Sequence, residues 1–416
     1  MLPPVPTVRR SLDDYAPMIG GDEVARIRTA ADPLRGARIL HLSATSFGTA
    51  IAGTLAVLVP LMQDLGMDAH WATPRATEEY PSLSHAVYEG LAGDYISWTA
   101  HLVDAWRSYA KFNAEFFDQH YDYVFVHDPQ PLPILQQLHN GSSPGRWVWH
   151  SHLDLREAQP ELLDLMQHDL HAYSAVIFED RSYIGSIPAE RITAVIPPAI
   201  DPLSTRNVEV PPEDQDGILT HLGIDPRRPL VSQVSRFDHW NDALGVVDIY
   251  RSVKSAQPDV QLALVAQMAH DDIGARLYYE KVARRAGEDG DIHLLSSLNM
   301  VGDLETNVIQ RASTVAIQRS VRKGFAKALM EASWKRRPAV AGEAGGLSTQ
   351  VVSGETGFIA PTVEESGARI LELLRNPELV ERMGSKAHEL MRERYLVTRC
   401  VSDYVQLLNQ LRGAAN

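Results

Sequence analysis

The chain has 416 residues, 44% of them hydrophobic and 22% charged, with a formal net charge of −14. That length exceeds what one hydrophobic core usually supports, so two domains of about 200 residues are expected. The composition is that of an ordinary soluble globular protein. The negative charge argues against nucleic acid or an anionic membrane as partner, because either needs a basic surface, and any anion site must be locally focused. Cys400 is the one cysteine and cannot form an internal disulfide, which fits a reducing cytoplasm. No apolar run follows Arg9-Arg10, so a secretion signal is not expected, and the apolar stretch over residues 50–62 is too short to span a bilayer.

In chain order, a polar helical lead-in over residues 11–31 precedes a buried strand over residues 37–43. A small-residue loop, Thr45-Ser-Phe-Gly-Thr-Ala50, then leads into an apolar helix over residues 51–65. Strand, loop and helix in that order turn loop N–H groups toward whatever binds above the strand, which makes Gly48 a candidate; a tight turn in an α/β fold reads the same way. Further strands are expected at residues 68–73, 123–126, 147–149, 175–178 and 194–203, with a long amphipathic helix over residues 97–121. Two of the strands end in polar clusters, His127-Asp-Pro-Gln-Pro131 and His150-Ser-His-Leu-Asp154. Parallel sheets place their ligands where strands end, so His127, Asp128, His152 and Asp154 are site candidates; each also reads as a satisfied loop or cap residue. A metal is not expected, since two histidines at i and i+2 with no cysteine or third ligand in range are poor ligand spacing.

Residues 204–228 are charged and Pro-rich and read as a linker. The second half has strands at residues 229–235, 260–267, 291–295, 313–318 and 338–340, a helix over residues 243–255, and three amphipathic helices from residue 364 to residue 411. Its densest feature is Gln318-Arg-Ser-Val-Arg-Lys-Gly-Phe-Ala326, a basic turn before a helix that starts near Ala326 and carries Glu331. A helix start offers unpaired N–H groups and a positive dipole end, and Arg319, Arg322, Lys323 and Lys327 add charge, so a phosphorylated ligand fits. Gly342-Glu-Ala-Gly-Gly-Leu-Ser348 is a second small-residue loop before a helix start. Asp271-Asp272 reads as a cap after a strand. No repeat of 20–50 residues is visible, and alternating strands and helices in both halves point to α/β architecture with two doubly wound, Rossmann-like domains facing a cleft.

The strings His41-Leu-Ser-Ala-Thr-Ser-Phe-Gly48, Val126-His-Asp-Pro-Gln-Pro131, His152-Leu-Asp-Leu155, Ile196-Pro-Pro-Ala-Ile-Asp-Pro-Leu-Ser204, Gln233-Val-Ser-Arg-Phe-Asp238, Met268-Ala-His-Asp-Asp272, Glu331-Ala-Ser-Trp-Lys335 and Gly354-Glu-Thr-Gly-Phe358 resemble the trehalose glycosyltransferring synthases. These are retaining GT-B members of glycosyltransferase family four. The resemblance runs in one order over nearly the whole chain. It implies an acceptor domain over residues 1–205, a nucleotide-sugar donor domain over residues 206–390, and a C-terminal helix over residues 391–416 packing back toward the first. It also implies that Arg236 grips the donor diphosphate, that Glu331 accepts from the ribose hydroxyls, and that Gly345, Gly346, Leu347 and Ser348 face the donor. His152 and Asp154 fall at the sugar end. Three positions depart from the family pattern: Asn241 stands where a lysine would share the diphosphate, Lys323 where a glutamate would approach the sugar, and Gly48-Thr49-Ala50 where three glycines are common.

The nucleotide-side residues are thus kept while changes gather near the transferred group. That pattern implies a glycosyltransferase for a non-standard donor, such as a deoxysugar or an activated cyclitol, in which Lys323 restores the charge missing at Asn241. Arg236, Lys323 and His152 then carry the catalytic roles, with no metal or other cofactor required and a sugar as acceptor. A pseudo-glycosyltransferase joining a cyclitol to an amino sugar, an ordinary nucleotide-glucose-dependent trehalose synthase, and an inactive sensor or scaffold are the other readings. Residues 298–302 are expected to face the base without naming it. Oligomeric state does not follow from composition; a homodimer is compatible with it.

Overall fold

The computed structural model describes residues 1–117, 119–138, 145–184, 192–266, 268, 273–320 and 324–414. These form two compact units: Met1–Ala199 together with Val397–Asn416, and Ile200–Leu396. The divisions fall at Ala199 and Leu396 rather than at residues 205 and 390.

The first unit is built on six parallel strands: β1 (Arg38–Leu42), β2 (Asp68–Ala72), β3 (Tyr123–Val126), β4 (Arg146–Ser151), β5 (Ala175–Phe178) and β6 (Ile192–Val195). Their order in the sheet is β2-β1-β3-β4-β5-β6. Every residue of β3 and β5 is buried, as expected of parallel strands covered on both faces, and this is why they read as unbroken apolar runs. The chain leaves β1 in one direction along the sheet and returns past it at β3, so the crevice outside the carboxyl ends of β1 and β3 is the switch point. The Ala50–Asp64 helix follows β1 and is capped by Thr49, whose hydroxyl accepts from the Ala52 N–H at 3.1 Å. The last helix, Val397–Gly413, belongs to this unit and packs on the Ala50–Asp64 and Gly21–Ala31 helices through a stripe that includes Val401, Tyr404, Leu408 and Leu411.

The second unit holds β7 (Leu230–Val234), β8 (Gln261–Ala266), β9 (Ile292–Ser296), β10 (Val315–Gln318), β11 (Ala339–Ala341) and β12 (Gly357–Ile359), again all parallel. The order is β12-β11-β10-β7-β8-β9, so the switch point lies outside the ends of β7 and β10. Each unit is thus a doubly wound α/β sheet of the Rossmann kind.

Two expectations are corrected. Residues 204–228 are no linker: the Pro212–His221 helix starts there, with proline at its first position and Glu213 and Asp214 in its first turn. Its Leu219, with Val210 and Ile224, joins Leu230, Val308 and Ile309 in the second unit's core. Charge and proline marked a capped helix start rather than a domain joint. The helix expected over residues 97–121 is shorter, Ala100–Ala114, beginning where the Thr99 hydroxyl accepts from the Leu102 N–H. An unforeseen helix, Tyr80–Leu91, precedes it. No helix among the described residues is long and apolar enough to cross a membrane.

Candidate functional site

At the switch point of the first unit, Asp128 follows β3 and is buried. Its two carboxylate oxygens accept from the Ala44 N–H and the Tyr88 hydroxyl, each at 2.6 Å. Asp128 therefore holds the loop after β1 in place rather than pointing at solvent. The same loop is pinned from beneath by Trp71 Nε1, which donates to Ser43 Oγ at 2.8 Å. Gly48 sits further along it at φ +75°, a left-handed conformation that L side chains rarely adopt, with open space where a side chain would be. Thr49 is spent on capping, so that residue serves the helix start. Asp154 is also committed, accepting from Arg156 Nε at 2.9 Å.

The histidines form one connected cluster under the same edge. His41 Nδ1 and His127 Nε2 stand 2.9 Å apart, His127 Nδ1 and His152 Nε2 3.2 Å, and His152 Nδ1 and Glu179 Oε1 2.8 Å. At the far end His41 Nε2 lies 3.3 Å from the Met62 sulfur. His150 lies against His152 with ring centroids 3.9 Å apart and the rings tilted by 31°, and its Nδ1 meets the Tyr404 hydroxyl at 2.7 Å. Adjacent parallel strands explain the gathering: β1, β3 and β4 lie side by side, and His41, His127, His150 and His152 share one face of the sheet beneath the last helix.

Burial pushes His41 down to about 3 and holds His127 and His150 well below the ordinary imidazole value, the neighbouring rings adding to the effect for the latter two. These rings are neutral. Burial also raises the Glu179 carboxyl, against its bond to His152. The proton order follows. Sulfur only accepts, so His41 Nε2 donates to Met62, His127 Nε2 to His41 Nδ1 and His152 Nε2 to His127 Nδ1, with Glu179 closing the chain at His152 Nδ1.

Both ring nitrogens of His152 are thus engaged inside the cluster, and its side chain is partly exposed. Histidine at i and i+2 had seemed to lack a third ligand; β3 supplies His127, and one nitrogen from each of His127, His150 and His152 lies within 4.8 Å of the others. His41, His150 and Glu179 were not among the sequence candidates. Glu179 directly follows β5, so the strand-end rule that singled out His127 could have found it. His41 lies inside a strand, where no local pattern marks it.

In the second unit, two buried glutamines lash the switch point together. Gln233 on β7 accepts from the Arg319 N–H at 3.0 Å and donates to the Asn241 carbonyl at 2.8 Å. Gln318 on β10 donates to Asn241 Oδ1 at 3.3 Å and to Ser320 Oγ at 2.9 Å. Asn241 is buried, and its side chain donates to Asp238 at 2.7 Å. Arg236, by contrast, has a side chain 69% exposed, with Asp238 3.7 Å away. Arg319 is not offered outward as the basic turn suggested: it donates to the Pro361 carbonyl at 2.8 Å and pairs with Asp242 at 3.4 Å.

The Lys327–Trp334 helix begins after Ala326, which has no side-chain acceptor to cap the first turn. Gln350 clamps this start by accepting from the Ala326 N–H at 2.9 Å and donating to its carbonyl at 3.1 Å. Glu331, one turn in, is buried, and its carboxylate accepts no hydrogen bond from the described residues. Beneath it Lys335 Nζ donates to Asn207 Oδ1, Gln310 Oε1 and the Glu331 carbonyl. Gly345 takes φ +56°, and the helix after it is the single turn Leu347–Gln350, too short to add much dipole. Leu347 is buried, whereas Ser348 is exposed. Arg322 and Lys323, and the pair Asp271-Asp272, lie outside the described residues.

Residues 41–185 match the family "Trehalose synthase, N-terminal domain", and residues 214–390 match "Glycosyl transferases group 1". The chain is 36% identical to a trehalose synthase of Pyrococcus horikoshii over 407 residues, 97% of each chain. It is 36% identical to that of Rubrobacter xylanophilus over 417 residues, 99% of this chain and 100% of the relative. Among solved structures, a UDP-forming α,α-trehalose-phosphate synthase from Burkholderia xenovorans superposes with a TM-score of 0.71 at 16% identity, covering 91% of this chain and 100% of its own. The sucrose-phosphate synthase of Thermosynechococcus elongatus gives 0.70 at 16% identity, with 91% and 100% covered. Those folds are GT-B, as are the two units described above. With identity sustained from end to end, the chain belongs to the trehalose synthase family of group 1 glycosyltransferases.

Proposed function

We propose that the chain transfers a sugar or sugar-like cyclitol group, with retention, from a nucleotide-activated donor other than ordinary nucleotide-glucose to a sugar acceptor. The observation that carries this reading is Asn241. Where the family resemblance calls for a lysine on the diphosphate, an asparagine is buried and bonded to Asp238 and Gln318. The second unit would hold the nucleotide: exposed Arg236 answers the diphosphate, the uncapped start at Lys327 adds amides, and the buried Glu331 carboxylate accepts from ribose hydroxyls. In the first unit, the partly exposed His152 would meet the transferred group, while Asp128 and Gly48 shape the loop after β1. A solved neighbour of the same fold is described as bound with UDP-2-fluoro glucose.

Breaking the bond between the transferred carbon and the nucleotide diphosphate leaves negative charge on the departing phosphate, which Arg236 stabilises; the acceptor oxygen bonds to that carbon on the same face, and its proton passes to the phosphate. No protein nucleophile is needed for this route. The second reading is an ordinary trehalose synthase, favoured by 36% identity over 97% of both chains. The two are separated by incubating the protein with ADP-, UDP-, GDP- and dTDP-glucose plus glucose and examining products by NMR. Our reading expects nucleotide diphosphates to bind while trehalose forms slowly or not at all. Trehalose made at about 1 s⁻¹ or faster, the ordinary range for enzymes, would establish the second reading instead. Failure of all four nucleotides to bind would leave an inactive scaffold.

A further inference from the structure

We propose that His127, His150 and His152 form a binding site for a divalent transition-metal ion of the zinc type, held through His127 Nδ1, His150 Nε2 and His152 Nε2. The inference rests on the first unit alone and not on the nucleotide reading.

Three observations converge. One nitrogen from each ring lies within 4.8 Å of the other two. His127 Nδ1 and His152 Nε2 already stand 3.2 Å apart. Two ligands about 2.0–2.1 Å from a tetrahedral ion are separated by roughly 3.3 Å, so this pair already stands at ligand spacing. His150 Nε2 is buried without a hydrogen-bond partner among the described residues, in a residue only 4% exposed, and an ion would satisfy it.

The remaining nitrogens are arranged as metal-bound histidines require. Each ligand ring has its other nitrogen held from outside: His127 Nε2 by His41 at 2.9 Å, His150 Nδ1 by the Tyr404 hydroxyl at 2.7 Å, and His152 Nδ1 by Glu179 at 2.8 Å. Such outer partners fix tautomer and ring orientation, and a carboxylate behind one histidine also offsets the charge of the ion. The ion would enter from the side of His152, whose side chain is 18% exposed, and its fourth position would open there. Three neutral imidazoles suit zinc, cobalt and nickel, and argue against magnesium or calcium, which take oxygen ligands.

The test uses the full chain, stripped with a chelator and titrated with Co2+ and then Zn2+. Expected is one Co2+ per chain, with the visible absorption of a low-coordinate nitrogen site, displaced by Zn2+ and abolished in His150→Gln. His85→Gln, at an exposed histidine, should bind as the parent does. Should His150→Gln fail to fold, Tyr404→Phe and Glu179→Gln test the same geometry, since loss of an outer partner costs about 10–100-fold in metal affinity. No saturable absorption in the parent, or equal affinity in His150→Gln, or in both outer-partner variants, overturns the proposal. Nucleotide binding is read separately, so either result can fail without the other.

Discussion

Replacing Asp128 by Asn tests whether a single carboxylate holds the loop over the first unit's switch point. The parent residue accepts two bonds of 2.6 Å while buried, one from Ala44 N–H and one from Tyr88. Hydrogen bonds to a charged group contribute about 1.5–3 kcal/mol each, and a neutral one about 1 kcal/mol. Tyr88→Phe removes one bond and should cost about 1.5–3 kcal/mol. Asp128→Asn keeps at most one neutral acceptor contact, so its cost is about 2–5 kcal/mol. The distinguishing readout is hydrogen exchange at the Ala44 amide, followed alongside urea unfolding. Protection there should collapse in Asp128→Asn and survive in Tyr88→Phe. An Asp128→Asn protein that keeps Ala44 protected and loses under about 1 kcal/mol would refute the loop-anchoring role.

Arg107→Met should be strongly destabilising, because it strands the fully buried Asp169, whose two oxygens lie 2.6 and 2.7 Å from Arg107 Nη1. Breaking such a pair costs about 3–5 kcal/mol, whereas Arg107→Met with Asp169→Leu should recover much of it in the same urea assay. Burial pushes Lys335 down to about 7, below its unfolded value, so its stabilising contribution is present above the unfolded value and lost as pH falls toward the folded one. Between pH 9 and pH 7 the second unit should lose about 1.4 kcal/mol per pH unit relative to Lys335→Met; parallel pH profiles would contradict this. Lys323→Glu restores the residue type expected near the sugar, and should raise transfer from nucleotide-glucose in a product assay. Unchanged turnover would remove Lys323 from the donor site.

The strands were legible because parallel sheets bury both faces: residues 123–126 and 175–178 are apolar throughout and coincide with β3 and β5. The three C-terminal helices were equally plain from their amphipathic period. Pro211-Pro212 and the acids after it misled, since the same residues punctuate linkers and open helices; only packing of Leu219 against Val308 and Ile309 decides between them. In the site, strand-end residues such as His127 and Asp128 were visible, but their partners were not. Ala44 and Asp128 are 84 residues apart, and His150 and Tyr404 are 254 apart. Such contacts follow from strand order and the return of the last helix, which local spacing does not encode. The same blindness made His150 and His152 look like an isolated pair.

The most direct measurement is calorimetric titration of the parent chain and of Arg236→Ala with ADP, UDP, GDP and dTDP. At least one nucleotide should bind the parent, and at one hundred times its dissociation constant it should stabilise the fold by about 2.7 kcal/mol. Loss of the charge-assisted phosphate contact in Arg236→Ala should weaken that nucleotide about tenfold or more. Equal affinity in the two proteins, or no binding of any of the four to the parent, would contradict a diphosphate held at Arg236.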